Sequence, residues 1–264
     1  MKIYRTLIAA LILAAITASN PVLAAGIQLQ KEPMIWLINT PSAMVLEENQ
    51  TLGQIRMHPD GGMTCGFSFG VLPRLSFGMY YGAKHFISSQ DMDWYVVPGL
   101  SFKYKLCREQ TKFPSVIVGM MSQGWGDYDK NPVTDKRRYA FKAPGFYAVI
   151  GKIFDLRQCC GKFGLSAGVS YNVMEDDDDS DVEGFVGLHK PVWKGFHVNM
   201  EYALGRNDDD IDAYGKKRGY LNAALSYKFC KTYAFELIFM DILKNNKAAE
   251  TETRVIRMIY ISYF

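Results

Sequence analysis

The stretch "TRVIRMIYISYF", residues 253–264, decides the fold. Ile256, Met258, Tyr260 and Phe264 share one face, with Ser262 its weak member, while Val255, Arg257, Ile259, Ile261 and Tyr263 share the other. A period of two is the pattern of a β-strand. The segment is longer than the five or six residues usual in a globular strand and suits the ~9–11 residues of a tilted membrane-crossing strand.

The same alternation recurs upstream. "MTCGFSFG" sets Met63, Cys65, Phe67 and Phe69 against Thr64, Gly66, Ser68 and Gly70. "PGLSFKYKLC" sets Leu100, Phe102, Tyr104 and Leu106 against Gly99, Ser101, Lys103 and Lys105. "GFHVNMEYAL" sets Phe196, Val198, Met200, Tyr202 and Leu204 against His197, Asn199, Glu201 and Ala203. About twelve strands are predicted, near 50–57, 62–70, 74–82, 97–107, 114–124, 143–154, 162–172, 182–190, 195–204, 218–228, 233–243 and 253–264. Aromatic residues make up 14% of the chain, which favours strands over helices.

Loop length alternates with strand parity. "VLPR", "PVWKG" and "FCKTY" are short, whereas "KHFISSQDMDWYVV", "WGDYDKNPVTDKRRYAFK" and "RNDDDIDAYGKKRG" are long and polar. Outer-membrane barrels have short periplasmic turns and long outer loops. The predicted fold is therefore all-β: a transmembrane antiparallel up-and-down barrel of about twelve strands, with both termini periplasmic. Its last strand pairs with its first, because an open edge in hydrocarbon costs several kcal/mol for each unpaired backbone group. Phe264 then sits at the periplasmic girdle and resembles the assembly signal of Gram-negative outer-membrane barrels. That implies the barrel-assembly machinery as a partner.

The N-terminus reads as an export signal. Lys2 and Arg5 precede an apolar run from Leu7 to Ala18, and Val22 and Ala24 place cleavage after residue 24. Losing Lys2 and Arg5 takes the formal charge from +3 to +1, which gives no reason to expect a nucleic-acid partner. The expected division is residues 1–24 signal, 25–50 a periplasmic lead-in or plug and 51–264 barrel, exported to the outer membrane of a Gram-negative cell. Five cysteines, Cys65, Cys107, Cys159, Cys160 and Cys230, match neither a disulfide framework nor a zinc motif, and the state of the vicinal pair stays open.

If the richer apolar face meets lipid, the other lines the lumen. That assigns Lys103, Lys105, Lys152, Glu183, Glu201, Glu236, Arg257 and His189 to the interior. Charges of both signs in a narrow barrel must be paired or wet. Either a narrow polar channel or a sealed, salt-bridged core satisfies that demand. Two acidic tracts fall in outer loops: Asp176, Asp177, Asp178 and Asp179, and Asp208, Asp209 and Asp210. Clustered carboxylates can take a divalent ion through oxygen, but neither tract has a known calcium-loop spacing, and a solvated loop is the plain reading. The basic run Lys136, Arg137 and Arg138 suits lipopolysaccharide phosphates. The four histidines, His58, His85, His189 and His197, form no nucleophile–base or metal-ligand pattern, so no catalysis and no cofactor is expected.

Thr40-Pro41-Ser42-Ala43, then "GVLPRLS" at residues 70–76, then "APGFYAVIGK", "EGFVGLHKP" and "AFELIFMDIL" resemble the YjbH-like bacterial outer-membrane barrels. The resemblance implies an exopolysaccharide-associated role at the cell envelope and no catalytic residues.

Overall fold

A computed structural model of the chain describes residues 37–59, 61–130, 137–156, 161–175, 179–209, 214–230, 232–247 and 253–263. Asp176, Asp177, Asp178, Asp210, Phe264, Lys136, the pair Cys159 and Cys160, and residues 1–36, for which the sequence carries expectations, lie outside them.

Twelve strands close one antiparallel cylinder. They are β1 (Gln50–Met57), β2 (Met63–Leu72), β3 (Leu75–Lys84), β5 (Gly99–Cys107), β6 (Ser115–Met121), β9 (Gly145–Leu156), β10 (Gly161–Tyr171), β11 (Val182–Trp193), β12 (Phe196–Ala203), β13 (Tyr220–Lys228), β14 (Tyr233–Met240) and β15 (Thr253–Tyr263). The seam joins the ends of the chain: β1 runs antiparallel to β15, from Gln50 opposite Tyr263 to Met57 opposite Ile256. Every strand is thereby paired on both sides, and no edge faces lipid.

Three further short strands were not expected. β4 (Asp93–Trp94) pairs antiparallel with the end of β3, Ala83 opposite Trp94, while β7 (Trp125–Lys130) and β8 (Arg137–Phe141) form a separate hairpin between β6 and β9. The hairpin belongs to the long-loop end of the cylinder. At the other end, connections such as Lys194-Gly195 are tight, and Gly195 takes φ 75°, which other residues rarely adopt.

The two faces of the wall divide as the alternation predicts. Phe67, Val186, Leu225 and Met258 point outward and stay exposed, Phe67 by 65%. Ser68, Ser76, Ser101, Asn199 and Asn222 point inward and are buried. A large apolar surface with no protein cover is what a membrane-spanning barrel presents to acyl chains. The fold is therefore a transmembrane β-barrel with a polar inner wall.

The apolar core lies within the cylinder. Ile38, Ala43, Val45 and Leu46, ahead of β1, share a buried cluster with Ile117 and Met121 of β6, Tyr147 and Val149 of β9, and Trp125 of the hairpin. This explains a correction. Lys152, expected in the lumen, has the phase of outward-facing Phe146 and Ile150, and its ammonium donates to the carbonyls of Thr111 (2.7 Å) and Gln110 (3.4 Å) at the short-turn rim. Both faces of β9 are apolar, because its inner face packs on residues 43–46. Alternation alone could not tell the two faces apart.

Candidate functional site

The site is the lumen, and a segment of the chain itself fills it. Residues 37–49 form no strand of the wall, yet Leu37, Ile38 and Leu46 are fully buried. A barrel of twelve strands is wider than side chains alone fill. The wall accordingly carries small residues where the segment passes. A Cβ placed on Gly70 would fall 1.8 Å from the carbonyl oxygen of Glu47, and one on Gly151 would fall 2.4 Å from the Cβ of Ala43.

Glu201, on β12, anchors the start of the segment. Its Oε2 accepts from the amides of Ile38 (3.0 Å) and Thr40 (2.9 Å) and from the Thr40 hydroxyl (2.7 Å). Its Oε1 accepts from the amide of Asn39 (2.9 Å) and from Asn222 Nδ2 (2.7 Å). One buried carboxylate thus meets three consecutive backbone donors, as a ligand meets a nest of amides.

Cations hold the carbonyl side of the same segment. Arg257 donates to the oxygens of Leu37 (2.8 Å) and Ile38 (3.4 Å), and Arg56 to Ile38 O (3.2 Å) and Asn39 Oδ1 (2.7 Å). Lys103 reaches the oxygens of Ser42 (3.1 Å) and Met44 (3.3 Å) from across the lumen. Glu236 pairs with Arg257 directly opposite it on the neighbouring strand and also takes hydrogen bonds from Ser226 and Asn199. The lumen-lining residues Lys103, Glu201, Glu236 and Arg257 are thereby brought around one segment. Lys105 is half-buried on the inner phase of β5, and Glu183 lies on the inner phase of β11 near the long-loop end, where it accepts from the Gly184 amide. His189 bonds Asn199 at 2.6 Å and stacks on His197.

Arg56 was missed by sequence reasoning. Its strand, "QTLGQIRM", alternates poorly, although Gln50, Leu52, Gln54 and Arg56 do share the buried face. The guanidinium lies 4.1 Å from the centre of the Trp125 ring, beneath the β7–β8 hairpin.

A second layer closes the long-loop end. Arg138 of β8 forms a 2.8 Å ion pair with Asp208, and both are buried. Asp208 also takes the Tyr214 amide at 3.0 Å and the Tyr220 hydroxyl. Glu175 accepts from the amides of Ala143 (2.7 Å) and Tyr139 (3.0 Å); burial pushes its carboxyl above the usual range, partly offset by those amides. Lys142 donates to the Asp179 and Asn207 carbonyls, and Asp179 accepts from the Asp209 amide. Asp241, likewise pushed up by burial, caps the amides of Asn245 and Asn246. Of the acidic tracts, Asp179 and Asp208 thus turn inward onto protein donors. Among the described residues no group of three or more histidine, cysteine or acidic side chains is arranged to hold a metal ion.

No family model matches the sequence, and neither does any curated protein. Solved structures similar to this one include the KdgM porin, with a TM-score of 0.48 and 10% identity over 81% of this chain and 99% of that one. Acinetobacter baumannii outer membrane protein Omp33 has a TM-score of 0.43 and 10% identity over 83% of this chain and 99% of that one. An outer membrane channel from Pseudomonas putida F1 has a TM-score of 0.43 and 10% identity over 83% of this chain and 97% of that one.

Proposed function

We propose that the protein is an outer-membrane channel kept shut by its own residues 37–49. One observation carries this reading: the charged groups of the inner wall are bonded to a separate, non-strand segment instead of only to one another. Amides and carbonyls in that segment hold places that water or a passing solute can take. Removing it would leave a closed wall whose interior is polar and glycine-lined apart from the apolar patch of β6 and β9. A narrow polar pore is the natural use of such a wall.

In this reading residues 1–24 direct export, both termini face the periplasm, and Phe264 engages the barrel-assembly machinery. The outward band contacts membrane lipid, with lipopolysaccharide at the long-loop end. The protein passes solutes and converts none. The YjbH-like resemblance supports a narrower version, in which the channel serves exopolysaccharide export.

A second reading is a non-conducting barrel whose outer loops bind ions, lipopolysaccharide or a partner. The buried pair Arg138–Asp208, which fastens the β7–β8 hairpin at the long-loop end, favours it. Planar-bilayer recording separates the two. The full chain is expected to be mostly silent, and a chain lacking residues 25–49, refolded in detergent, to give steady single-channel steps. Silence from a deleted chain that still shows the heat-dependent gel shift of a folded barrel would favour the second reading.

A further inference from the structure

Arg56 and Arg257 stand directly opposite each other on the adjoining strands β1 and β15, both turned inward and almost fully buried. Like charges opposed across a strand pair repel. Among the described residues the carboxylate that ion-pairs with either is Glu236, which bonds Arg257, while Glu201 acts on Arg56 only through space. Arg56 meets the Ile38 carbonyl, the Asn39 side-chain oxygen, the Met240 sulfur and the Trp125 ring, none of them ionised. Its Nε, buried, has no hydrogen-bond partner among the described residues.

The segment therefore meets the two guanidinium groups with dipoles and leaves their charge in place. Guanidinium groups side by side form a fork suited to paired oxygens, and carbonyl oxygens of residues 37–39 now occupy it. The carboxylates nearest the seam are Glu201 on β12 and Glu236 on β14, with Glu183 of β11 farther off toward the long-loop end. Glu236 keeps its partners on the wall when the segment leaves, whereas Glu201 loses the amides of residues 38–40 and the Thr40 hydroxyl and keeps Asn222. Arg56 keeps the sulfur and the ring but loses both of its oxygen acceptors. The imbalance exposed on opening is positive and centred on the β1–β15 seam.

We infer that the opened lumen selects anions, and that the Arg56–Arg257 pair is the selective element, its ligand an oxyanion such as a carboxylate. This rests on the reading of the protein as a plugged channel. Charged side chains at a constriction set the sign of the permeant ion because little water separates them from it.

The test is the reversal potential of the chain lacking residues 25–49 in a tenfold KCl gradient, with acetate then replacing chloride. The expected result is several-fold preference for anions, reduced at least twofold by Arg56→Gln with single-channel steps retained. If the deletion does not fold, Gly70→Val in the full chain supplies the opened lumen by steric displacement of residue 47. Steady steps with no anion preference, or with a preference untouched by Arg56→Gln, overturn the inference and leave the channel reading standing. Silence from both folded variants overturns the two together.

Discussion

The Glu201 carboxylate accepts the Ile38 amide at 3.0 Å, across 163 positions of sequence, and so ties the lumen segment to β12. Hydrogen bonds to a buried charge contribute more than neutral ones, about 1.5–3 kcal/mol each. Glu201→Gln keeps the shape and removes the charge. We expect it to loosen residues 37–49 by about 2–3 kcal/mol. Proteolysis of the detergent-folded protein reads this: cleavage within 37–49 should accelerate while the barrel core stays resistant.

Gly70 tests the fit of the same segment at its other end. A methyl group there meets the Glu47 carbonyl, and the Asn49 amide bonds the Gly70 oxygen at 3.1 Å. Gly70→Ala should cost about 1–3 kcal/mol, as overpacking does. At Gly164 a Cβ would meet nothing within 4 Å, so Gly164→Ala is the matched control and should leave urea unfolding unchanged.

Asp208→Asn should release the β7–β8 hairpin. Arg138 would keep its buried charge while losing its ion-pair partner at 2.8 Å, and breaking a buried pair costs about 3–5 kcal/mol. Faster hydrogen exchange in residues 138–141 is the expected signature. If Asp208 instead served a divalent ion, added calcium would stabilise the parent protein and not the variant; equal melting with and without calcium is expected.

His58, in the turn after β1, gives a pH dependence. Burial, and secondarily the charge of Arg56, push its imidazole down to about 3 from an ordinary 6.5. It is therefore neutral when folded, while the unfolded chain takes up a proton below 6.5. Stability from this group is complete above 6.5 and is lost as pH falls toward 3, by up to about 1.4 kcal/mol per pH unit. His58→Gln should flatten the difference between unfolding curves at pH 7 and pH 4; parallel pH profiles for parent and variant would show that this histidine does not matter.

Val186, midway along β11 and facing outward, tests membrane embedding. Arginine at the bilayer midplane costs about 2–4 kcal/mol. Val186→Arg should lower folding stability in lipid vesicles by that amount; an unaltered denaturant midpoint would count against an acyl environment at this position.

The strands and the facing of most residues were legible because both depend on neighbours two apart. β15 shows it: Met258 outward and Arg257 inward follow from alternation alone. β9 marks where that failed, since Tyr147 and Val149 inside are as apolar as Phe146 and Ile150 outside, and Lys152 was placed on the wrong face. Arg56 escaped notice in a strand of weak alternation. Asp208 read as a loop acid because its partner Arg138 lies 70 residues away, and Glu175 drew no notice because the Tyr139 and Ala143 amides lie 36 and 32 residues away.

By itself, the sequence determined a closed membrane cylinder with a polar inside. Alternation over membrane-length strands admits few other ways to bury backbone polar groups in hydrocarbon. What occupies the cylinder was decided only by the tertiary structure. Residues 25–50 carry no periodicity that separates a lead-in from a plug or a further strand, and the groups that seat residues 37–49 come from β1, β5, β12 and β15. Local pattern encodes which way a side chain points; which distant amide meets it depends on how the whole wall closes.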